Sequence, residues 1–376
     1  MKKDNAKKSP RRKEANRQSD RVTIGMDLGD KTSRYCVLDD QGEVMAERSV
    51  ATTKKGMLQA FGAMERCRIA LEVGTHSPWI NRLQTKLGHE VIVANARQVK
   101  LISASSRKDD RLDAQMLARL ARVDPKLLSP IRHRSEEAQA DLNLIRVRAA
   151  LVDGRTALVN AARGFSKASG ERLPKCDTDQ MDVERMAELP VELREVLKPL
   201  IEQVESMTEK IRECDKKLEQ IARDKYPETK LLRQVKGVGT VIALTFVLTV
   251  EDKDRFAKSR DVGFDPDEDL RGNLSGDKIT CLSVPVVMGL RPKRSESGQS
   301  QPQLRITKEG DVYLRKLLVQ GAHYILGYRG PDTDLRRWGL KLAERGGKNA
   351  KKRAIVAVAR KPGVLMHSPV GDRRGV

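Results

Sequence analysis

The strongest constraint on the fold is how two short β-patterned runs carry their acids. In Val22–Gly29 (VTIGMDLG), Val22, Ile24 and Met26 fall on one face of a strand, and Thr23, Gly25 and Asp27 on the other. Arg68–Gly74 repeats the plan. Ile69, Leu71 and Val73 alternate on one face, and Ala70, Glu72 and Gly74 on the other. Each run has a bulky apolar face that asks for burial. Each also has a face of small residues that presents one carboxylate, with room beside it for a metal ion and a phosphate.

The surrounding pattern supports an α/β unit. Tyr35–Leu38 and Val44–Val50 read as strands around a turn at Asp40–Gly42, and Val91–Ala94 as another. Met57–Glu65 and Trp79–Leu87 have helical spacing. Three strands followed by helix–strand alternation imply a sheet that starts as an antiparallel meander. Arg111–Arg122 is a further helix, closed by Pro125 and Pro130, with Leu112, Met116 and Leu120 as the stripe expected to hold it on the sheet. Glu136–Ala162 is again helical. Leu197, Leu200, Val204, Met207, Ile211, Cys214, Leu218 and Ile221 alternate by three and four, the seam of a coiled coil. Such a helix implies self-association into a dimer or tetramer, or a hairpin with 136–162. A second globular region opens at Leu231–Val250, with helices at Val312–Gly327 and Ala350–Arg360.

At 376 residues and 39% hydrophobic content, two or three folded units are expected. Lys and Arg total 73 against 52 Asp and Glu, a net +21, which points to a polyanion: nucleic acid or an anionic membrane surface. No apolar run approaches the roughly 18 residues that span a bilayer. The basic N-terminus (MKKDNAKKSPRRKEANRQSD) lacks the apolar core of a secretory signal and reads as a solvated tail. The cysteines, 5 in all, are scattered and lack zinc spacing, which suits a reducing cytoplasm.

Asp110 and Asp113, at i and i+3, share one face at the start of their helix. Gathered with Asp27 and Glu72 they would repel and raise each other's pKa. A pair of divalent cations offsets that repulsion. Mg²⁺ prefers hard oxygen ligands, and two ions about 4 Å apart can stabilise the attacking and leaving oxygens at a phosphate.

The order IGMDLG, ALEVG, KDDRLDA resembles the RuvC-like, RNase H-type domain of the DEDD transposases of the IS-one-ten and IS-eleven-eleven insertion sequences. LLRQVKGVGTVIALTF, GLRPKRSESG and LRITKEGDVYLRKLLVQGA resemble that family's second domain, so the likeness spans most of residues 22–360. It implies a transposase or recombinase that cuts and rejoins donor and target DNA. Asp27, Glu72, Asp110 and Asp113 would be its metal ligands. The serine of the Ser-Gly pair after GLRP, Ser297, would be the nucleophile that forms a phosphoserine link. It also implies guidance by a structured RNA from the element, a bridge RNA, in a bacterial, nucleoid-associated setting. Arg294, Arg305, Lys308 and Arg315 flank the serine in sequence and fit a phosphate undergoing transfer. Gly237 and Gly239 resemble the turn of a helix-hairpin-helix, whose backbone N–H groups bind phosphates.

The expected division is a basic tail over 1–20, a RuvC-like catalytic domain over 21–135, a helical and coiled-coil region over 136–225, a mostly helical serine-bearing domain over 226–361, and a tail over 362–376. The chain departs from the family pattern twice. An insert over 264–288 separates Arg255–Gly263 from Gly289, and Pro362-Gly363 is expected to stop the last helix. Two alternatives follow: a structure-specific nuclease that uses metals alone, or an inactive nucleic-acid-binding remnant.

Overall fold

The computed structural model describes residues 22–95, 110–251, 288–293, 304–308, 310–347 and 349–367. The chain divides into two compact units, one ending at His133 and one beginning at Arg134. The tail over 1–20, Arg294, Ser297 and residues 264–287 of the insert lie outside the described residues.

The first unit is built on five strands: β1 (Thr23–Asp27), β2 (Thr32–Leu38), β3 (Val44–Ala51), β4 (Arg68–Glu72) and β5 (Glu90–Ala94). Their spatial order is β3-β2-β1-β4-β5. β1, β2 and β3 form the antiparallel meander, and β4 and β5 add in parallel. This mixed sheet with its helices is the RNase H-like arrangement. The bulky faces of β1 and β4 behave as their alternation requires. Ile24, Met26, Ile69 and Leu71 are buried with Met57 and Phe61 of α1 (Lys54–Phe61) and Ile80 of α2 (Ser77–Lys86).

The opposite face is covered by α3 (Asp110–Val123). Its sheet-facing residues are not those expected. Leu112 is 46% and Met116 36% exposed, and only Leu120, at 8%, is buried. The contact is made instead by Ala114, Leu117, Ala118 and Ala121, which join Ala70, Ile92 and Ala94 of β4 and β5 and Cys36 and Leu38 of β2. Small residues win here because the strand beneath has no side chain at Gly25. A Cβ there would lie 2.0 Å from the Ala114 carbonyl oxygen and 2.4 Å from the Ala118 nitrogen. Directly over Gly25 a helix that approaches so closely has room only for Ala114 and Ala118, with Leu117 packed over β4 and β5 beside them.

The second unit begins with a helical hairpin, α4 (Glu136–Ala168) and α5 (Val191–Asp224). The two run antiparallel. Val159 and Ala162 pack with Leu197 and Ile201, Arg148 pairs with Asp215, and Asp141 meets Lys225. The α5 seam is also rotated from the expected one. Leu197, Val204, Ile211 and Leu218 are buried as anticipated, but their fully buried companions are Ile201, Thr208 and Ala222. Leu200, Met207, Cys214 and Ile221 are half-buried. A helix in a globular layer buries a wider stripe than a strict two-per-heptad seam. The intramolecular hairpin is therefore the partner that the described residues supply.

The rest of this unit comprises α6 (Thr229–Leu232), α7 (Thr240–Val250), α8 (Val312–Leu326), α9 (Asp334–Glu344) and α10 (Ala350–His367). Ala243, Phe246, Leu314, Leu318, Ala322, Ile325 and Val358 form its main core, with Met288 and Leu290. Leu244 and Leu248 of α7 also pack on α4 and α5, so the regions 136–225 and 226–361 share a cluster. α10 does not stop at Pro362. It continues to His367, with Pro362, Gly363 and Met366 buried. Proline removes one backbone hydrogen bond, but packing over the same turn offsets the loss. A Cβ on Gly363 would lie 2.0 Å from Met288 Sδ, so this turn is fitted to the residue at the end of the insert.

Candidate active site and serine ribbon

The C-terminal ends of β1 and β4 lie side by side. The parallel register Ile24–Ile69, Gly25–Ala70, Met26–Leu71 brings the strands' last residues, Asp27 and Glu72, to one edge of the sheet. Both belong to the face that carries Gly25 and Ala70, the face that α3 covers. The direction of α3 then decides where its acids fall. Arg68, the first residue of β4, donates from Nη1 to the Ala121 carbonyl at 3.0 Å. Arg122 donates from Nη2 to the Asp40 carbonyl, beyond the end of β2, at 2.5 Å. The C-terminal end of α3 is thus at the edge where β1 and β4 begin, and its N-terminal end at the edge where they finish.

Simple geometry completes the arrangement. Gly25 sits level with the Ala114–Ala118 turn. Asp27 is two residues further along the strand, roughly 6.6 Å. Asp113 and Asp110 are one and four residues earlier in the helix, roughly 1.5 and 6 Å. Asp113 lies one turn before Leu117 and continues the sheet-facing stripe of Ala114, Leu117, Ala118 and Ala121. Asp27, Glu72 and Asp113 are half-buried and none is without a partner. The side chain of Asp110 lies outside the described residues. Among the described residues, no three His, Cys, Asp or Glu side chains suffice by themselves to hold a metal. The donor set, carboxylate oxygens over a bed of glycine and alanine, nevertheless fits a hard divalent cation.

The same edge carries residues that the sequence reading did not single out. Asp30 follows β1 and His76 follows β4, and His76 Nε2 lies 3.4 Å from Asp30 Oδ1. The Trp79 indole donates from Nε1 to His76 Nδ1 at 3.1 Å. An indole N–H only donates, so the proton of neutral His76 sits on Nε2, towards Asp30. The sequence signal for His76 was its proximity to Glu72; Asp30 and His76 stand outside the strands and helices whose periodicity guided the reading.

In the second unit, residues 289–293 and 304–308 form a two-stranded ribbon. Pro292 bridges Ile306 in antiparallel fashion. The Lys293 N–H donates to the Arg305 carbonyl at 2.8 Å, and the Thr307 N–H to the Arg291 carbonyl at 2.7 Å. The residues that connect the two strands in sequence, Arg294 and Ser297 among them, lie outside the described residues. Met288 and Leu290, buried in the core, anchor its first strand. Arg305 and Lys308 are exposed on the second. Arg315 instead donates from Nη1 to the Met288 carbonyl at 3.1 Å, pinning α8 to the ribbon's root. Gly310 has a φ of +82°, the turn that leads into α8.

The glycine turn is split in character. Gly237 has a φ of +84°, and a Cβ there would lie 2.9 Å from Ile325. It is wedged against α8. Gly239 is exposed and caps α7 with open space around it.

Comparison with known proteins finds relatives for both regions of the chain. Residues 24–168 match a family model described as "Transposase", of the DEDD type named for IS110. Residues 283–334 match one described as "Transposase IS116/IS110/IS902 family". The chain is 27% identical to the transposase for insertion sequence element IS1111A of Coxiella burnetii, over 90% of this chain and 86% of that protein. It is 26% identical to a probable family 20 transposase of Pseudomonas aeruginosa, over 89% and 92% of the two chains. The transposase for IS1328 of Yersinia enterocolitica is also 26% identical, over 80% and 82%.

Proposed function

Since the chain belongs to the IS110-type family of DEDD transposases, we propose that it cuts and rejoins DNA through a phosphoserine intermediate, under the guidance of a structured RNA. The observation that carries the reading is the antiparallel crossing of α3. It brings the Asp-x-x-Asp end of the helix to the sheet edge that bears Asp27 and Glu72.

Asp27, Glu72, Asp110 and Asp113 would hold Mg²⁺, in two ions. When bound, the metal would supply charge stabilisation to the oxygens around a phosphate. Ser297 Oγ would attack a backbone phosphorus of donor or target DNA. As the Oγ–P bond forms, one P–O ester bond breaks, and the leaving oxygen takes up a proton. A DNA hydroxyl then reverses the step, so bond energy is conserved. Arg294, Arg305 and Lys308 would hold the phosphate from the ribbon, and Gly239 would bind backbone elsewhere. Arg315, half-buried on a carbonyl, would act on the ribbon rather than on DNA. No helix among the described residues is long and apolar enough to cross a membrane. In this reading the net +21 is directed at nucleic acid phosphates.

The test is incubation with Mg²⁺, guide RNA and labelled DNA, followed by a search for a covalent protein–DNA adduct. Asp27→Asn and Ser297→Ala should each abolish it. An adduct that survives Ser297→Ala refutes the serine role. One observation favours a second reading: the carboxylates and the serine ribbon belong to different compact units. Cleavage without an adduct, unaffected by Ser297→Ala, would mark hydrolysis by the carboxylate unit alone.

A further inference from the structure

Aromatic side chains are scarce here: 5 Phe, 5 Tyr and 2 Trp. Many of those described are committed to structure. Tyr35 and Phe61 meet edge to face at 5.1 Å in the first core. Phe246 is buried, Trp338 packs on the second core, and Tyr226 donates to Asp141 at 3.0 Å. Tyr328 is different. At 86% exposure it is the most exposed large apolar or aromatic side chain among the described residues. Tyr324, four residues earlier at the end of α8, is 54% exposed.

Tyr328 stands on a locked turn. The Gly327 N–H donates to the Tyr324 carbonyl at 3.2 Å and the Gly330 N–H to the Gly327 carbonyl at 3.0 Å. Arg336 reaches in from α9 and donates from Nη1 to the carbonyls of Ile325, at 2.7 Å, and Gly327. A Cβ on Gly330 would lie 2.1 Å from the Ile325 oxygen, so the turn has no slack. The Arg329 guanidinium lies 5.1 Å from the Tyr328 ring centre. The nearby acids, Asp332 and Asp334, are each paired with Arg337 at 2.7 Å, which reduces their repulsion of an anion.

An aromatic ring carried on a fixed backbone turn and open to water, with a cation beside it, has the makings of a base-stacking surface. The π-face of an unpaired base stacks on such a ring, and the cation attracts the adjoining phosphate. Within a duplex the bases already stack on each other and cannot use it. We propose that Tyr328, with Arg329 and Tyr324, is a stacking platform for an unpaired nucleotide of DNA or RNA. This rests on the reading that nucleic acid is the substrate.

The test uses the full-length chain and fluorescence anisotropy at fixed salt. The probes are labelled oligothymidylate, oligouridylate and a duplex, each of about 20 nucleotides. Tyr328→Ala should weaken single-strand binding by about tenfold. Tyr328→Phe keeps the ring and should stay within about twofold of the parent, and duplex binding should not move in either variant. Tighter binding of one single-stranded probe identifies the strand that the platform takes. An unchanged single-strand affinity in Tyr328→Ala, or an equal loss on duplex, overturns the platform alone. No binding to any probe overturns the nucleic-acid reading with it. The residue is so exposed that thermal melting should confirm an intact fold in both variants.

Discussion

Gly25→Ala is the sharpest probe of the candidate active site, because it adds one methyl group where α3 meets the sheet. The new Cβ would lie 2.0 Å from the Ala114 carbonyl oxygen, and ordinary contact begins at 3.4 Å, so something must yield by about 1.4 Å. Both neighbours at this point are backbone, and no flexible side chain can swing aside. Overpacking of this kind typically costs about 1–3 kcal/mol. For a unit of roughly 100 residues that is a fall in Tm of at least about 4 °C. The effect on activity should be larger. Helix α3 carries Asp110 and Asp113, and a displacement of about 1 Å in a catalytic group can cost on the order of 100-fold in rate. Gly74→Ala is the control: it lies just beyond Glu72, but nothing is within 4 Å of its added Cβ. Thermal melting and Mg²⁺-dependent DNA cleavage would be measured for both. A Gly25→Ala protein that melts and cleaves like the parent refutes the close crossing of α3 and the assembly of the four carboxylates built on it.

Other outcomes follow from the second unit and from burial. Asp311 accepts from the Leu314 N–H at 2.8 Å as the N-cap of α8 and pairs with Arg146 at 2.5 Å. Asp311→Ala should lose about 1–3 kcal/mol in denaturant unfolding, and Asp311→Asn, which retains a cap, should recover about 1 kcal/mol of it. The Thr240 hydroxyl donates to Glu219, and with Arg233 it holds that carboxyl below its ordinary 4.5. A depressed carboxylate stabilises the fold above its unfolded value, and that contribution is lost as pH falls through the lower folded value. The parent should therefore melt above Glu219→Gln near pH 7, and the difference should shrink as pH falls below the ordinary carboxylate value. Burial pushes the Cys67 thiol up to about 11 and raises that of Cys36. Among the four described cysteines, iodoacetamide near pH 8 should label Cys176 and Cys214 first, as resolved by peptide mass spectrometry, and reach Cys67 only on unfolding.

The sheet was legible because strand alternation is strict. Ile24 and Met26 opposite Gly25 and Asp27 leave one way to face the core, and Asp110 and Asp113 announce a shared helix face by spacing alone. What misled was side-chain size. Leu112 and Met116 outweigh alanines in any hydrophobic pattern, yet only Ala114 and Ala118 fit over a glycine. In α5, Thr208 and Ala222 are buried where Met207 and Ile221 seemed stronger, because a wide contact surface accepts a satisfied hydroxyl: Thr208 bonds to the Val204 carbonyl at 2.8 Å. Pro362 obeyed a local rule that tertiary packing overrode. α9 was missed although Thr333 accepts from the Arg336 N–H as its cap and Asp334 opens its first turn, a start signal that the sequence does carry. The Asp30–His76 contact was illegible because it joins residues 46 apart in sequence, and the Tyr328 turn because its exposure depends on how Arg336 of α9 folds back onto the end of α8.

The direction of α3 has an electrostatic consequence. The aligned peptide dipoles of a helix leave roughly half a positive charge at its N-terminus. Because α3 runs opposite to β1 and β4, that positive end meets the carboxylate edge. It eases the mutual repulsion of the acids there and favours the approach of a phosphate. A helix of the same sequence laid the other way would bring its negative end to the same place. Each favourable dipole–charge contact contributes about 0.3–1 kcal/mol. The polarity of one helix thus suits the end of the sheet where Asp27 and Glu72 stand.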